Sequence, residues 1–546
     1  MDPVSLLLDQ LTAEPPATAM SLRRLKAEVA ARTGTSLIRT DALLARYRAE
    51  VADGRRGRLP RLERLLILNR IRSESGLATI TVLTEPYACP GRCVYCPTEA
   101  HAPKSYLANE PAMMRAIRNG YDPARQVRSR LETLEQTGHA TDKLELIIKG
   151  GTWSFYPEPY QRWFVQRCLE TANAERGQTP EQGSDPVDGA GLGRAQRANE
   201  TAARRVIGLT IETRPDYVDA GEIRRLRELG VTRVELGVQT LEEAVLALVQ
   251  RDHGAAEVRA ATALLKDAGF KVAYHLMPNL PGATAASDLA HARQVFDDPA
   301  YRPDAVKLYP CVVLESADLF QWWQAGRHTP YDDETLIELL IGIKQAVPPY
   351  VRIERVIRDI PSTSIRAGCA ITNLRETILR RMRGRGLRCA CIRCRQVRQE
   401  TDGRFVLTRR DYEASGGTEV FLSLEDPDAD RLACLLRLRV PGHEVPGLPA
   451  LREAALVREL HTYGPHLALA ERRDGAVQHQ GYGRRLLAEA ERIAREEFGR
   501  SRLAVIAGVG AREYYRRLGY ALDGTYMIKP VTAPHAPAGL PTPAPA

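Results

Sequence analysis

Three cysteines, Cys89, Cys93 and Cys96, fall in the single short stretch CPGRCVYC. Thiolates grouped in this way hold iron–sulfur clusters. Because a four-iron cube has four irons, three protein thiolates leave one iron open to bind a substrate or a cofactor directly. A zinc ion with a fourth ligand elsewhere in the chain is the alternative. The stretch therefore predicts a metal centre, and an open one if the metal is an iron–sulfur cluster.

A second group of cysteines, Cys389, Cys391 and Cys394, lies in the basic stretch RCACIRCRQ. In a reducing compartment such a group indicates a metal site rather than disulfides. A structural zinc is the favoured interpretation, and a second iron–sulfur cluster is the alternative. Structural zinc takes four ligands, and Cys369 is the nearest candidate for the fourth.

A glycine pattern, Q-x-x-G-x-G, occurs in QHQGYGRRLL at residues 478–487 and enters a predicted helix. Backbone N–H groups at a glycine-rich helix N-terminus bind pyrophosphate. The predicted strand ALVRELHTYG precedes this pattern, and a strand and a helix with adjacent Tyr514 and Tyr515 follow it. We expect one of the two tyrosines to be a core residue and the other to face a ligand.

The elements that position these residues follow a repeated βα pattern from about residue 78 to about residue 359. Short β-branched runs such as KLELIIKGG and RVIGLTIETR alternate with amphipathic segments such as AGEIRRLRELG. Such repeats predict a parallel sheet or barrel, whose active site lies at the C-terminal ends of the strands. The predicted strand ends supply candidate cofactor-binding residues: Gly150, Gly151, Thr152, Glu212, Gln239 and His275.

Composition limits the classes of function. The chain has 546 residues and a formal net charge of +9, which favours a polyanionic partner. Aromatic residues make up only 6%, so long base-stacking platforms are not expected. No run approaches the roughly 18 apolar residues of a membrane helix. The N-terminus lacks a signal-peptide pattern, so a cytoplasmic protein without membrane attachment is expected.

Composition also changes along the chain, and these changes predict its domains. Arginine-rich helices near the N-terminus are either a solvated helical face or a module that contacts phosphates. The predicted units are a basic helical segment at 1–75, a barrel at 76–365 with a mobile insertion at about 173–203, a basic metal-binding linker at 366–400, an α+β domain at 401–530 and a disordered tail at 531–546.

The first cysteine triad resembles the radical S-adenosylmethionine (SAM) superfamily. Tyr95 fits the aromatic residue commonly found before the last cysteine of that family, and the loop after the first strand fits its partial TIM barrel. The resemblance implies a 4Fe-4S cluster whose open iron binds SAM. It also implies that Gly150 and Gly151 contact the amino group of SAM through the backbone.

The C-terminal region resembles the GNAT acetyltransferase fold, and acetyl-CoA is therefore the implied ligand. In that fold a splayed strand pairs with the pantetheine arm, here at Arg458, Glu459, Leu460 and His461. The pyrophosphate would be held at Gln480, Gly481, Tyr482 and Gly483. Tyr514, Tyr515 and His461 would act near the thioester.

A radical SAM barrel joined to a GNAT domain resembles the catalytic subunit of Elongator in its single-chain bacterial or archaeal form. Phrases from CVYCP to YMIK carry the resemblance over about residues 75–530, among them IIKGGT, GLTIETRPD, RVELGVQT, HLMPNLPG and GVGAREYYRRLGY. The resemblance implies that acetyl-CoA supplies a carboxymethyl group for C5 of the wobble uridine of tRNA. The anticodon stem-loop would be the partner, and a zinc site would lie between the domains. A homodimer is left open, and other Elongator subunits are not required.

Two other functions stay open from the residues alone. The first is a protein lysine acetyltransferase with the barrel as scaffold, against which the intact cysteine triad and Gly150–Thr152 argue. The second is a nucleic-acid-binding scaffold with two inactive sites, against which the complete glycine loop and the tyrosine pair argue.

Overall fold

The structure is a computed structural model that describes residues 2–68, 76–175, 189–399, 401, 403–464 and 480–531. The described chain forms a helical N-terminal segment, a curled parallel sheet and a second, mixed sheet. None of its helices is both long and apolar enough to span a bilayer. The predicted tail, apart from Val531, lies outside the described residues.

The N-terminal segment consists of four helices around a small leucine-rich core: α1 (Pro3–Ala13), α2 (Ala19–Thr33), α3 (Thr40–Ala52) and α4 (Pro60–Leu66). Local sequence sets the helix ends, because Thr18 and Ser21 form a capping box at the start of α2 and Gly34 ends it with φ +64°. Arg48 donates hydrogen bonds to the carbonyls of Glu135 and Gly138, at 2.9 and 3.1 Å. The segment is therefore docked on the barrel.

The barrel contains most of the predicted strands. Its strand-forming region comprises β1 (Ala78–Leu83), β2 (Lys143–Lys149), β3 (Arg205–Thr213), β4 (Arg233–Gln239), β5 (Lys271–Leu276), β6 (Ala305–Leu308), β7 (Val313–Leu314), β8 (Arg352–Arg355) and β9 (Ile365–Ala367). Strands β1 to β6 and then β8 lie side by side and pair in parallel, while β7 and β9 form a separate pair. Every βα strand predicted from the sequence is present.

Helices connect these strands and cover the outer face of the sheet. They are α5 (Pro111–Arg118), α6 (Pro123–Gln136), α7 (Glu158–Asn173), α8 (Gly189–Asn199), α9 (Ala220–Glu228), α10 (Glu243–Leu248), α11 (Ala255–Asp267), α12 (Ala285–Asp297), α13 (Leu319–Gln324) and α14 (Asp333–Ala346). Side chains alternate along each strand, so apolar residues pack against the helices while polar residues face the barrel interior.

The prediction of a mobile insertion at 173–203 is wrong for its second part. Residues of α8 pack on α7, with Leu192 and Ala195 buried. Asn173 donates to the carbonyl of Ala195 at 2.9 Å, which fastens the two helices together. The low apolar content misled the prediction, because glycine and alanine allow close packing here: a Cβ on Gly191 would lie 2.6 Å from the Gln166 amide. Residues 176–188 lie outside the described part.

The linker contains α15 (Leu374–Gly384) and α16 (Ile392–Arg395) and joins the barrel to the second sheet. Ile392 donates its N–H to the carbonyl of Val351 at 3.0 Å, and Val397 donates to Leu432 at 2.9 Å. One short segment thus contacts both sheets.

The second sheet is mixed and carries two helices. Its elements are β10 (Val406–Ala414), β11 (Gly417–Asp426), β12 (Arg431–Val440), β13 (Ala454–Thr462), α17 (Tyr482–Glu496), β14 (Arg502–Val505), α18 (Arg512–Arg516), β15 (Ala521–Asp523) and β16 (Tyr526–Pro530). The strand order is β10-β11-β12-β13-β14-β16-β15, and β13 and β14 are its parallel pair.

Buried ion pairs join the second sheet to the barrel. The Arg458 side chain is fully buried and contacts Asp304 of the barrel at 2.6 Å and Glu419 of β11 at 2.8 Å. Arg439 likewise contacts Asp267 at the end of α11, at 2.6 Å. Buried charges are stable only when paired, so these contacts hold the two sheets in one arrangement.

Candidate active sites at the two ends of one barrel

The first cysteine triad lies in the loop that follows β1, at the C-terminal end of the barrel. Cys93 is buried, and Cys89 and Cys96 line a cavity of about 470 Å³. The loop is held by neighbouring segments: Val94 donates its N–H to Val249 at 3.1 Å and accepts from Leu319 at 2.8 Å. The strand-end position predicted for the triad is therefore the observed one.

A buried arginine stabilises negative charge on the triad. Arg251 lies 3.5 Å from the Cys93 sulfur through Nη1 and donates from Nη2 to the carbonyl of Gly237 at 2.6 Å. The hydrogen bond between the Cys96 and Cys93 thiols, together with Arg251, lowers the pKa of Cys93. The same hydrogen bond raises the pKa of Cys96, so the pair favours one thiolate, at Cys93, and a thiolate is the form of cysteine that binds metal.

The arrangement of sulfurs separates the two cysteine groups. In the described chain, the ligand atoms of Cys389, Cys391 and Cys394 lie within 4.8 Å of one another, as around a single ion, whereas the first triad forms no such group. In an iron–sulfur cube each thiolate binds a different iron, so its sulfurs do not converge on one point. A cluster therefore does not require the first triad to form such a compact group.

The glycine pair after β2 forms part of the cavity wall. Gly150 has φ +146° and Gly151 has φ +94°, a region that favours glycine. A Cβ on Gly150 would lie 1.8 Å from the hydroxyl of Thr84, at the end of β1. A side chain at position 150 is thus excluded, and a ligand in the cavity would meet the backbone of Gly151, which lines the cavity together with Thr152.

Two carboxylates occupy the floor of the cavity. Glu212 contacts Lys149 at 2.8 Å and accepts a hydrogen bond from Tyr106 at 2.5 Å. Glu235 contacts His275 at 2.9 Å and is also paired with Lys307. Glu212, Glu235 and His275 could hold a metal by distance alone, but the two lysine ammonium groups already supply the positive charge there.

Burial and charge determine the protonation of these groups. Burial by itself raises the pKa of Glu235, but Lys307 and Arg233 outweigh it and hold that pKa well below its usual range. Burial lowers the pKa of His275, so this imidazole is neutral at pH 7. Neutral His275 can therefore accept a proton, while the carboxylates are held ionised by lysine and arginine.

Gln239, predicted from its strand-end position, has a feature that indicates a ligand. It has φ +70°, and its Oε1 is buried without a hydrogen-bond partner among the described residues. Because an unpaired buried oxygen costs about 1–3 kcal/mol, such an atom at a cavity wall is best explained by a donor on a bound molecule.

Sequence reasoning missed several residues that line this cavity, namely Tyr106, Lys149, Glu235, Arg251 and Arg358, and also Lys307, which pairs with Glu235. Lys149, Glu235 and Lys307 lie on predicted strands, and period-two alternation could have placed them on the inner face. Tyr106, Arg251 and Arg358 come from loops, and no sequence pattern marks them.

A second cavity of about 920 Å³ lies between the second sheet and the opposite end of the barrel. The parallel pairing of β13 with β14 ends at Val457 and Val505, whereas β13 continues to Thr462. Residues 458–462 therefore diverge from β14 and line the cavity together with Gln480–Gly483. The residues predicted to bind acetyl-CoA are thus brought together at one cleft.

Individual side chains of this cleft have different roles. A Cβ atom placed on Gly483 would lie 3.3 Å from the Tyr514 hydroxyl, so this hydroxyl is close to the glycine loop. Tyr514 is 39% exposed. Tyr515 is buried in the core of the second sheet, so it is the tyrosine of the pair expected to be structural. The Arg458 side chain is already paired with Asp304 of the barrel and Glu419 of β11, so only its backbone is available to a ligand.

Three further residues complete the set predicted for this cleft. Glu459 pairs with Lys271 of the barrel and Arg437 of β12, and the ring of His461 lies 4.3 Å from that of Tyr463. Leu460 lies 3.7 Å from the same Gly483 Cβ position that Tyr514 approaches.

The second cysteine group lies at and just before α16, which contacts both β8 and β12, so the group lies between the sheets, as the resemblance implies. Lys344 of α14 places its Nζ 3.4 Å from the Cys389 sulfur and 3.8 Å from the Cys394 sulfur. The prediction of Cys369 as fourth ligand is not supported, since this residue is outside the group and hydrogen-bonds to Asp333 instead. A lysine near thiolates offsets their charge, a role that sequence spacing could not reveal.

The two cavities lie at opposite ends of the same strands. Gln239 and Lys149, the last residues of β4 and β2, line the first, whereas Arg233 and Lys143, the first residues of those strands, line the second. The first and last residues of each of these seven-residue strands are about 20 Å apart, at about 3.3 Å per residue. Arg233 is ion-paired with Glu235 and Glu354 between the two cavities.

Comparison with known proteins gives the barrel a family. Residues 86–294 match the Radical SAM superfamily, and residues 303–384 match the Radical SAM C-terminal domain. A solved structure of Methanocaldococcus infernus Elp3 with an N-terminal deletion (1-46) superposes with a TM-score of 0.72 and is 41% identical, covering 84% of this chain and 99% of that chain.

Curated relatives match over most of their length. The tRNA uridine(34) acetyltransferase of Dehalococcoides mccartyi (strain CBDB1) is 47% identical, over 84% of this chain and 98% of the relative. The protein of the same name from Methanocaldococcus infernus is 44% identical, over 84% and 86%. Elongator complex protein 3 of Homo sapiens is 40% identical, over 84% and 85%.

Proposed function

Since the chain belongs to the family of tRNA uridine(34) acetyltransferases and Elongator complex protein 3, we propose that it installs a carboxymethyl group on C5 of the wobble uridine of tRNA. The observation that supports this most directly is the presence of two cavities in one chain, one with an open cysteine triad and one with a splayed strand and a glycine loop.

The barrel is a radical SAM domain, and the residues of its cavity fit the cofactors of that superfamily. Cys89, Cys93 and Cys96 would hold the cluster, and the backbone at Gly151 and the amide of Gln239 would contact SAM. When bound, the cluster and SAM supply a 5′-deoxyadenosyl radical. The neutral imidazole of His275 is placed to take a proton from the substrate in the same cavity.

The second cavity would bind acetyl-CoA. Gly481 has φ +82° and is the N-cap of α17, so the N–H groups of the first helical turn would be available to a pyrophosphate. The diverging backbone of β13 can pair with an extended pantetheine arm. Tyr514, half-exposed beside Gly483, would donate a hydrogen bond to the thioester.

The tRNA would contact two basic surfaces. Arg23 and Arg24 of α2 are exposed, and so are Arg380, Arg383 and Arg388 of the linker. In contrast, Arg381 and Arg385 are paired with carboxylates of α14. Exposed arginines of this kind match phosphate geometry. The second cysteine group would hold a structural zinc between the two sheets.

The test is to incubate reconstituted protein with SAM, acetyl-CoA, a reductant and tRNA, and to analyse uridines by mass spectrometry. Cys93→Ala and Cys96→Ala should abolish carboxymethyluridine, whereas Cys434→Ala, a change at a buried thiol of β12, should retain it. Product formed by either triad variant would show that the radical site is not needed. Acetylated lysine without modified uridine would favour the protein acetyltransferase alternative.

A further inference from the structure

Aromatic side chains from three consecutive strand-end loops meet beside the first cysteine triad. Tyr87 follows β1, Phe155 follows β2 and Tyr217 follows β3. Their ring centroids are 6.0 Å apart for Tyr87 and Phe155, and 5.9 Å apart for Phe155 and Tyr217. No sequence pattern marks this group, because its members are far apart along a chain in which only 6% of residues are aromatic.

Two rings of the group are exposed, while Tyr217 is partly buried. Tyr87 is 43% exposed and Phe155 is 37% exposed. Behind them, Tyr156 is buried, with its ring centroid 5.0 Å from that of Tyr87 and 5.3 Å from that of Tyr160. The Tyr156 hydroxyl donates to the carbonyl of Glu85 at 2.9 Å. The exposed rings therefore rest on a fixed support and lose little freedom when a ligand packs on them.

The group borders the mouth of the first cavity. Phe155 comes three residues after Thr152, and the Arg214 guanidinium lies 5.6 Å from the ring of Tyr217; both Thr152 and Arg214 line that cavity. Arg214 is neutralised by Asp216 at 2.7 Å and Asp252 at 3.1 Å. Recognition here would therefore rest on ring faces rather than on net charge.

We propose that Tyr87, Phe155 and Tyr217 form a stacking platform for the unpaired nucleobase next to the uridine that enters the barrel. The proposal rests on the proposed function, because it requires single-stranded RNA at this mouth. Single-stranded RNA is recognised by splaying bases apart and stacking them on aromatic side chains. A base adjacent to one inserted in the cavity arrives at the rim, where the rings of Tyr87 and Phe155 are exposed.

The experiment uses the full chain and anticodon stem-loop RNAs with 2-aminopurine on either side of the target uridine. The fluorescence of at least one RNA should be quenched on binding. Phe155→Leu and Tyr87→Leu each remove a ring, and each should weaken binding about fivefold or more, since one stacked base contributes about 1–3 kcal/mol. Phe155→Tyr and Tyr87→Phe keep the rings and should retain both affinity and quenching.

Salt dependence separates stacking from phosphate contact. The slope of log Kd against log salt should be the same for the leucine variants and the unmodified protein, because no phosphate contact is removed. Unchanged affinity and quenching in the Phe155→Leu, Tyr87→Leu double variant would overturn the proposal. So would stem-loop binding without quenching of either RNA. If the unmodified protein did not bind the stem-loop at all, the proposed function would fail first and the platform with it.

Discussion

Replacement of Arg458 by methionine should destabilise the protein by about 3 kcal/mol. Two carboxylates, Asp304 and Glu419, are fully buried against this one guanidinium. Breaking a buried ion pair by removing one partner costs about 3–5 kcal/mol, because the remaining charge is uncompensated. We expect the lower end of this range because two other cations would remain beside the carboxylates: Lys266 lies 3.8 Å from Asp304, and Arg439 lies 3.1 Å from Glu419.

The destabilisation caused by Arg458→Met should depend on pH in a defined direction. Burial raises the pKa of Asp304, but Arg458, followed by Lys266 and Arg437, outweighs it and holds that pKa well below 3.8. A depressed carboxyl pKa contributes stability above the unfolded-state value, which is lost as pH falls through the folded-state value. Without Arg458 the buried Asp304 carboxyl has a higher pKa, so the stability difference between Arg458→Met and the unmodified protein should be largest near neutral pH and shrink in acid as this carboxyl becomes protonated in the variant.

Denaturant unfolding measures this difference, and the chain offers a convenient probe. All four tryptophans, Trp153, Trp163, Trp322 and Trp323, belong to the barrel, so their fluorescence follows barrel unfolding while circular dichroism follows both sheets. The matched control is Arg452→Met, whose pair with Glu444 is exposed on both sides and should contribute about 0–1 kcal/mol. Equal unfolding midpoints for Arg458→Met and Arg452→Met would refute the assigned role of the buried pairs.

Three further predictions follow from single contacts. Gly150→Ala should abolish SAM binding measured by calorimetry, because its Cβ would overlap Thr84; Gly57→Ala, in open space, should leave binding intact. Lys344→Met should reduce the zinc content of the purified protein by elemental analysis, since it removes the cation beside Cys389; normal zinc content would remove Lys344 from the site. Tyr514→Phe should slow tRNA-stimulated acetyl-CoA hydrolysis about tenfold, the cost of one lost hydrogen bond, and an unchanged rate would contradict its role at the thioester.

The sequence was sufficient where local pattern determines structure. The βα strands were predictable because their buried β-branched runs are bounded by turns, and the spacing of the first triad placed it correctly after β1. Strand β10 was missed because TRRDYE, in its middle, is a run of polar and charged residues, which an exposed edge strand tolerates. Helix α8 was missed because its apolar content is low and its packing depends on α7.

Long-range contacts were beyond the sequence for a physical reason. Arg251 contacts Cys93, which is 158 residues away in the sequence. Lys344 contacts Cys389 and Cys394 of the second cysteine group, which are 45 and 50 residues away. Charged residues are usually solvated, so neither Arg251, in a loop, nor Lys344, on α14, carries a local sign of burial. Cys369 was chosen by proximity along the chain, which does not measure distance in the fold.

The buried pairs of Arg458 bear on function as well as on stability. One wall of the second cavity is formed by the first residues of barrel strands, Lys143 and Lys271 among them, and the facing wall by β13. The cleft therefore exists only while the two sheets are docked, and Arg458 is on β13 itself. Loosening that contact should widen the cleft before either sheet unfolds. In Arg458→Met, acetyl-CoA binding should consequently be lost at a denaturant concentration below the tryptophan transition, whereas in Arg452→Met the two losses should coincide.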